Sequence, residues 1–185
     1  MNKSVIGIIA AVVFVILVGI VLSNQVVALS ENCISKWAQV DTVLQRRYDL
    51  IPNLVNTVKG YATHEKGLFE EISRLRSQWA GAKSPSEKAE AATQLEAGLG
   101  RLIMVAEQYP QLRASENFMG LQTELAGTEN RIAVERQRYN EAVRAFNTRI
   151  KQFPWSVFAD MKGMNTPMNY FEAKEQAKDA PQVQF

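Results

Sequence analysis

The chain has 185 residues and a net charge of +2, with 22% of residues charged, so it has room for one folded domain plus one further element and no global field of a nucleic-acid binder. One cysteine, Cys33, excludes an internal disulfide framework and a cysteine-based zinc site, and one histidine, His64, excludes most histidine-rich metal chemistry. Six prolines and ten glycines are too few for a disordered chain, and the remaining composition is that of a helical protein.

The first element is an apolar run from Val5 to Leu22, interrupted only by glycine and alanine, with Lys3 before it and Ser23-Asn24-Gln25 after it. Its length matches a hydrocarbon core of ~30 Å. A cleaved signal peptide is the rival reading, with Val26-Val27-Ala28 as the processing site, but the apolar run is longer than a usual signal core. Glu31-Asn32 before Cys33 argue against a lipoprotein. The sequence therefore predicts a retained transmembrane anchor over residues 1–25. Lys3 and the α-amine on one side, against Lys36 on the other, place the N-terminus in the cytoplasm and the following domain outside it.

From Cys33 a heptad-like stripe begins: Trp37, Val40, Leu44, Arg47, Ile51, Leu54, Val58, Tyr61, Glu65, Leu68, Ile72, Leu75 and Trp79. Pro52 removes a helix hydrogen bond, so it kinks this helix or opens a new one, and Gly60 and Gly67 bracket a second break near Thr63-His64. One bent helix over 26–80, or two in series, is expected. Ser84-Pro85-Ser86-Glu87 is a helix start, with Ser84 as cap and Glu87 in the first turn, where the helix dipole favours negative charge. The helix that follows, roughly 85–107, carries Ala91, Leu95, Leu99, Leu102, Ile103 and Ala106 on one side and ends at Tyr109-Pro110. The longest stripe runs from Phe118 through Leu121, Leu125, Thr128, Ile132, Glu135, Tyr139, Ala142, Phe146 and Arg149 to Phe153. Ala126, Ala133, Val143 and Ile150 widen it, and Gly120 and Gly127 mark places for close approach of a neighbouring backbone. These elements give an all-α fold: an N-terminal transmembrane helix, an elongated antiparallel bundle of three to four long helices over residues 26–152, and a C-terminal tail over 153–185.

The tail has no sustained period, and its apolar residues are candidates for docking: Trp155, Phe158, Tyr170, Phe171, Val183 and Phe185. It can cap its own domain, latch onto a neighbouring copy, or lie at a bilayer surface.

Several blocks resemble the LemA family. They are Gln45-Arg46-Arg47-Tyr48-Asp49-Leu50-Ile51-Pro52-Asn53-Leu54-Val55, then Val58-Lys59-Gly60-Tyr61-Ala62 with His64-Glu65, and Tyr109-Pro110-Gln111-Leu112. Thr128-Glu129-Asn130-Arg131-Ile132, Arg136-Gln137-Arg138-Tyr139-Asn140, Phe146-Asn147 and the closing Ala180-Pro181-Gln182-Val183-Gln184-Phe185 belong to the same likeness, which covers almost the whole chain. Tyr48 and Phe146 depart from the family pattern without changing any legible chemistry. The resemblance implies a bacterial membrane protein with a helical bundle, no accepted enzymatic reaction, and by analogy a part in membrane organisation.

No catalytic constellation is legible. His64-Glu65 opens like a zinc-protease helix, but position 68 is Leu, and a di-iron bundle needs histidines that the chain lacks. Cys33 reads as a packing residue, with acylation as the alternative. No cofactor, metal or catalytic residue is assigned, and scattered carboxylates read as solvated faces. The informative residues are polar ones at or beside the seams: Arg47, Asp49 and Asn53 on the first arm, with Glu129, Asn130, Arg131, Glu135, Tyr139 and Asn140 on the long helix. Buried charge is costly unless paired, while a single buried polar group can fix register or oligomer state. Arg47, Asp49 and Asn53 are expected to meet Glu135, Tyr139 and Asn140 across the bundle and set its register, or part of this network is expected to face another subunit. The basic run of Arg131, Arg136, Arg138, Arg144, Arg149 and Lys151 reads first as a solvated helix face, with anionic headgroups as the functional alternative and RNA disfavoured because no aromatic platform accompanies it. The sequence reading is a non-enzymatic scaffold, anchored by a single pass in the bacterial inner membrane, that forms a homo-oligomer and binds no nucleic acid. The alternative is an adaptor for a membrane protease or envelope-stress pathway, with an enzyme as the third possibility.

Overall fold

The computed structural model describes residues 3–171. Seven helices follow in chain order: α1 (Lys3–Asp49), α2 (Ile51–Lys59), α3 (Lys66–Gly81), α4 (Pro85–Glu107), α5 (Pro110–Arg113), α6 (Glu116–Arg149) and α7 (Trp155–Met161). The fold is all-α, as expected, and the apolar N-terminal run is the first part of a single helix that continues to Asp49. Both expected breaks are used. Pro52 stands in the first turn of α2, where its missing N–H costs nothing, and Leu50 N–H donates to the Arg47 carbonyl at 3.2 Å as α1 tightens and ends. Gly60 to Glu65 is non-helical and separates α2 from α3.

That second break interrupts the heptad stripe locally. Val40, Leu44, Arg47, Ile51, Leu54 and Val58 are buried as the stripe requires, but beyond the break Ala62 and Phe69 are buried in place of Tyr61 and Leu68. Tyr61 is exposed. The stripe is regained in its original phase at Ile72, Leu75 and Trp79 of α3. Ser84 caps α4 as its sequence demands: its hydroxyl accepts from Glu87 N–H at 3.2 Å, and the Glu87 carboxylate accepts in return from Ser84 N–H at 3.2 Å. The backbone N–H groups of Lys83 and Ser84, donating to it at 2.8 and 3.2 Å, hold the Glu87 carboxyl below its usual range.

The described residues divide into two compact units, 3–38 with 137–170, and 39–136 with 171, so the divisions fall inside α1 and α6. In the second unit α3 and α4 pack antiparallel. Lys88 lies 5.2 Å from the Trp79 ring, Arg101 Nη2 meets Glu71 Oε1 at 2.7 Å, and Gly98 faces Ile72 and Leu75 between them. Leu95, Leu99, Leu102, Leu112 and Phe118 are fully buried in this unit, each contributing roughly 1.5–3 kcal/mol. In the first unit α7 and the residues after it fold back on α1 and α6. Gly163, at φ 66°, closes α7 so that Met164 N–H reaches the Ala159 carbonyl at 2.8 Å, a Schellman-type end.

Close backbone approach occurs at different glycines from those expected. A Cβ at Gly120 or Gly127 meets open space, whereas one at Gly98 lies 3.3 Å from Leu75 Cδ1 and 3.5 Å from Ile72 Cγ1. Both expected glycines sit on the exposed side of α6. Gly120→Ala therefore stabilises the chain by about 0.5–1 kcal/mol through reduced backbone entropy. Gly98→Leu overpacks the α3–α4 contact and costs about 1–3 kcal/mol. Urea unfolding of the two variants beside the wild-type chain checks both signs.

Candidate functional site

The most heavily constrained polar group is Arg47, placed near the end of α1 by the heptad seam and only 5% exposed. Its two terminal nitrogens are met from two other helices, while its buried Nε has no hydrogen-bond partner among the described residues. Nη2 donates to Glu96 Oε2 of α4 at 2.6 Å, and Nη1 donates to the Leu125 carbonyl of α6 at 3.1 Å. Glu129 Oε2 stands 3.7 Å from Nη1, but its side chain is largely exposed and solvent screens that pair. Thr128 hydroxyl donates to the same Leu125 carbonyl at 2.8 Å. A cation buried among Leu44, Ile51 and Leu125 needs such partners, because an unpaired buried charge is strongly destabilising.

Beside it Tyr48 is fully buried, edge-on to Trp79 with ring centroids 4.7 Å apart, and its hydroxyl makes a long 3.4 Å contact with the Ala92 carbonyl. Burial pushes its phenol far above the ordinary range. Tyr48 and Phe146, which had no legible role as departures from the family pattern, are among the largest buried side chains of their units. Arg136 of α6 stacks over the Phe171 ring at 4.1 Å, and burial pulls its guanidinium below the ordinary value against the opposing pull of Glu96. Glu96 itself sits above the usual carboxylate range. Its burial outweighs the attraction of Arg47 and Arg136.

Asp49 is exposed, accepting from Gln45 Nε2 at 2.7 Å and lying 3.8 Å from Arg76 Nη2. Asn53, Asn130 and Arg131 are exposed, while Glu135 and Asn140 are half-buried. The carboxylate closest to Arg47 is Glu96, a residue outside the expected set. It occupies the flank of the α4 stripe, between Ala92 and Leu99 at helical spacing, and that position was the available signal. Lys88 to Asp41 at 2.6 Å is a second pairing of α4 with α1 that was not expected.

In the other unit Tyr139 hydroxyl donates to the Asn169 carbonyl at 3.0 Å, and its ring lies edge-on to Trp37 at 5.3 Å. Asn147 holds Met168 at both backbone groups, its Nδ2 donating to the carbonyl and its Oδ1 accepting from the N–H, each at 2.8 Å. Trp155 Nε1 donates to Gln25 Oε1 at 2.8 Å, and Arg149 stacks on the Trp155 ring at 4.3 Å. Of the tail candidates, Trp155 and Phe158 pack within their own unit, Phe171 is buried and Tyr170 is exposed. Val183 and Phe185 lie outside the described residues. Cys33 is buried, and burial raises its thiol and the Tyr139 phenol. His64 is exposed in the turn between α2 and α3. Among the described residues no group of three or more His, Cys, Asp and Glu side chains converges on a metal-sized site. The Arg47 centre is suited to fixing the register of α1, α4 and α6.

The sequence profile of the LemA family matches residues 36–185. Magnetosome protein MamQ 2 of Paramagnetospirillum magneticum is 29% identical over 184 aligned positions, which cover 85% of this chain and 67% of the relative. Magnetosome protein MamQ of Magnetospirillum gryphiswaldense is 27% identical with the same coverage. Protein LemA of Metamycoplasma hominis is 26% identical over 110 positions, covering 59% of this chain and 50% of the relative.

Because its folded carboxyl value is raised, Glu96 favours the folded state most below the ordinary carboxylate range, ~4.3, and this contribution fades as pH rises through the folded value. Arg47 is the largest influence opposing that rise. Arg47→Met therefore moves the Glu96 carboxyl further up, as carbon-detected NMR titration of the labelled side chain will show. An unchanged or lower value contradicts the electrostatic account.

Proposed function

Because the chain belongs to the LemA family and begins with an apolar helix long enough to cross a bilayer, we propose that it is a non-enzymatic, single-pass protein of the bacterial inner membrane. In this reading it self-associates and organises membrane or partner proteins. One observation carries it. Among the described residues the apolar stretch of α1 is largely uncovered, with Ile8, Phe14 and Val15 each about two-thirds exposed, yet the same helix runs on to Arg47 and the packed core. Hydrocarbon is the medium that stabilises such a surface. The relatives' names, Magnetosome protein MamQ and Protein LemA, are not enzyme names, which supports the non-enzymatic reading.

The anchor confines copies to two dimensions and raises their effective concentration, so modest lateral contacts suffice for assembly. The exposed polar residues Asn53, Asn130 and Arg131 supply candidates for those contacts. Near two of them a groove of about 200 Å³ is lined by Arg46, Glu124, Gly127 and Arg131, and Gly127 leaves its surface open to a neighbour. The full-length chain in mild detergent is expected to scatter light as a multiple of its 20.8 kDa mass. Asn53→Ala is expected to shrink the assembly at unchanged helicity by circular dichroism. A monomer at all concentrations contradicts self-association, and loss of helicity in the variant removes Asn53 from the interface.

A further inference from the structure

The short helix α7 presents an apolar face that its own unit leaves open. Trp155, Phe158 and Ala159 turn inward: Ala159 is fully buried, Trp155 binds Gln25, and the Phe158 ring comes within 3.3 Å of a Cβ built on Gly19. Phe153, just before the helix, is 82% exposed, and Val157 and Met161 on the opposite side of α7 are 47% and 77% exposed. Val157 and Met161, four residues apart in the helix, share one side, and Phe153 adds an exposed ring just before it.

The position of this face along α1 identifies what covers it. Gly19 lies within the last turn of the apolar run Val5–Leu22, and Phe158 touches α1 there. At ~1.5 Å per residue, α7 sits ~5 Å from the end of the apolar run, the depth at which hydrocarbon gives way to headgroups. The polar fixtures match that depth. Trp155 places an indole N–H at the polar edge on Gln25, Arg149 stacks on its ring at 4.3 Å, and Lys151 and Lys162 are exposed on either side of the helix. Asp160 is exposed beside the apolar face.

We infer that α7 with Phe153 is a second membrane element, an interfacial wedge that inserts Phe153, Val157 and Met161 into the leaflet beside the anchor, with Lys151, Lys162 and Arg149 directed at anionic headgroups. The exposed apolar surface of α7 is then continuous with that of the anchor, and lipid covers both. Gly163 and the Met164–Ala159 hydrogen bond stop the helix before it runs into water. Such a wedge fixes the rotation of the unit about the anchor axis, which a single transmembrane helix leaves free. The inference rests on α1 crossing the membrane and is independent of self-association.

Spin labels test it in the full-length chain with Cys33→Ala, reconstituted in nanodiscs of phosphatidylcholine and phosphatidylglycerol. Single cysteines at Phe153, Val157 and Met161 are compared with Val12 in the anchor and Glu141 on the exposed side of α6. Collision with oxygen is expected to exceed collision with a water-soluble nickel chelate at all three wedge positions and at Val12, with the order reversed at Glu141. Nickel access at the wedge positions with lipid-like behaviour at Val12 overturns the wedge alone, whereas nickel access at Val12 overturns the anchor reading beneath it. Shielding from both reagents with spin–spin broadening assigns the face to a second copy and overturns the inference. The three labels sit on exposed side chains, so each reports without disturbing the packed face of α7.

Discussion

A guanidinium held inside an apolar core is the constraint on which the second unit turns. Arg47 is placed by the same periodicity that buries Leu44 and Ile51, so α1 cannot pack its apolar seam without carrying the charge inward. Once inside, the cation is stable only where Glu96 of α4 and the Leu125 carbonyl of α6 arrive together. A slip of either helix by one residue turns its partner group away and leaves the charge unpaired, at a cost of several kcal/mol. Apolar contacts among leucines tolerate such slips far better. The ion pair thus contributes specificity of register more than net stability, consistent with the raised carboxyl of Glu96, whose burial outweighs its attraction to Arg47.

Around that centre the remaining polar contacts repeat the same logic at lower cost. Lys88 joins α4 to Asp41 of α1, and Arg101 joins α4 to Glu71 of α3, both part-exposed and screened by solvent. In the other unit the equivalent work is done by neutral groups. Asn147 grips the backbone of Met168, and Tyr139 the carbonyl of Asn169, so a segment without regular secondary structure is held to α6 by its main chain. That arrangement turns the stretch following α7 into part of its own unit. It also leaves the outer side of α7 beside the apolar end of the anchor.

The helices themselves were legible because their signals are local. Ser84, Pro85 and Glu87 form a capping box that needs no tertiary information, and Pro52 can only open a helix or break one. The apolar run at the N-terminus and the long stripe from Phe118 fall in α1 and α6. What the sequence hid is long-range. The turn at Gly60–Glu65 interrupts the helical period, so a stripe extended through it selects Tyr61 and Leu68 where the fold buries Ala62 and Phe69. Glycine spacing on α6 suggested close approach, but approach depends on which side of the helix meets a neighbour, and Gly98 and Gly19 are the ones that do. Arg47 was singled out by its seam position, whereas Glu96 looked like one of many surface carboxylates because its partner lies 49 residues away in sequence.

The central claim is that Arg47 and Glu96 act as one unit that sets helix register. A double-mutant cycle tests it most directly: Arg47→Met, Glu96→Met and the double variant, each unfolded in denaturant as the full-length chain. The account predicts that each single substitution costs about 2–4 kcal/mol by stranding a buried or half-buried charge, while the double variant costs far less than the two together. Additive losses across the cycle would contradict it, and would make Arg47 a charge tolerated by the fold instead of one on which its register depends.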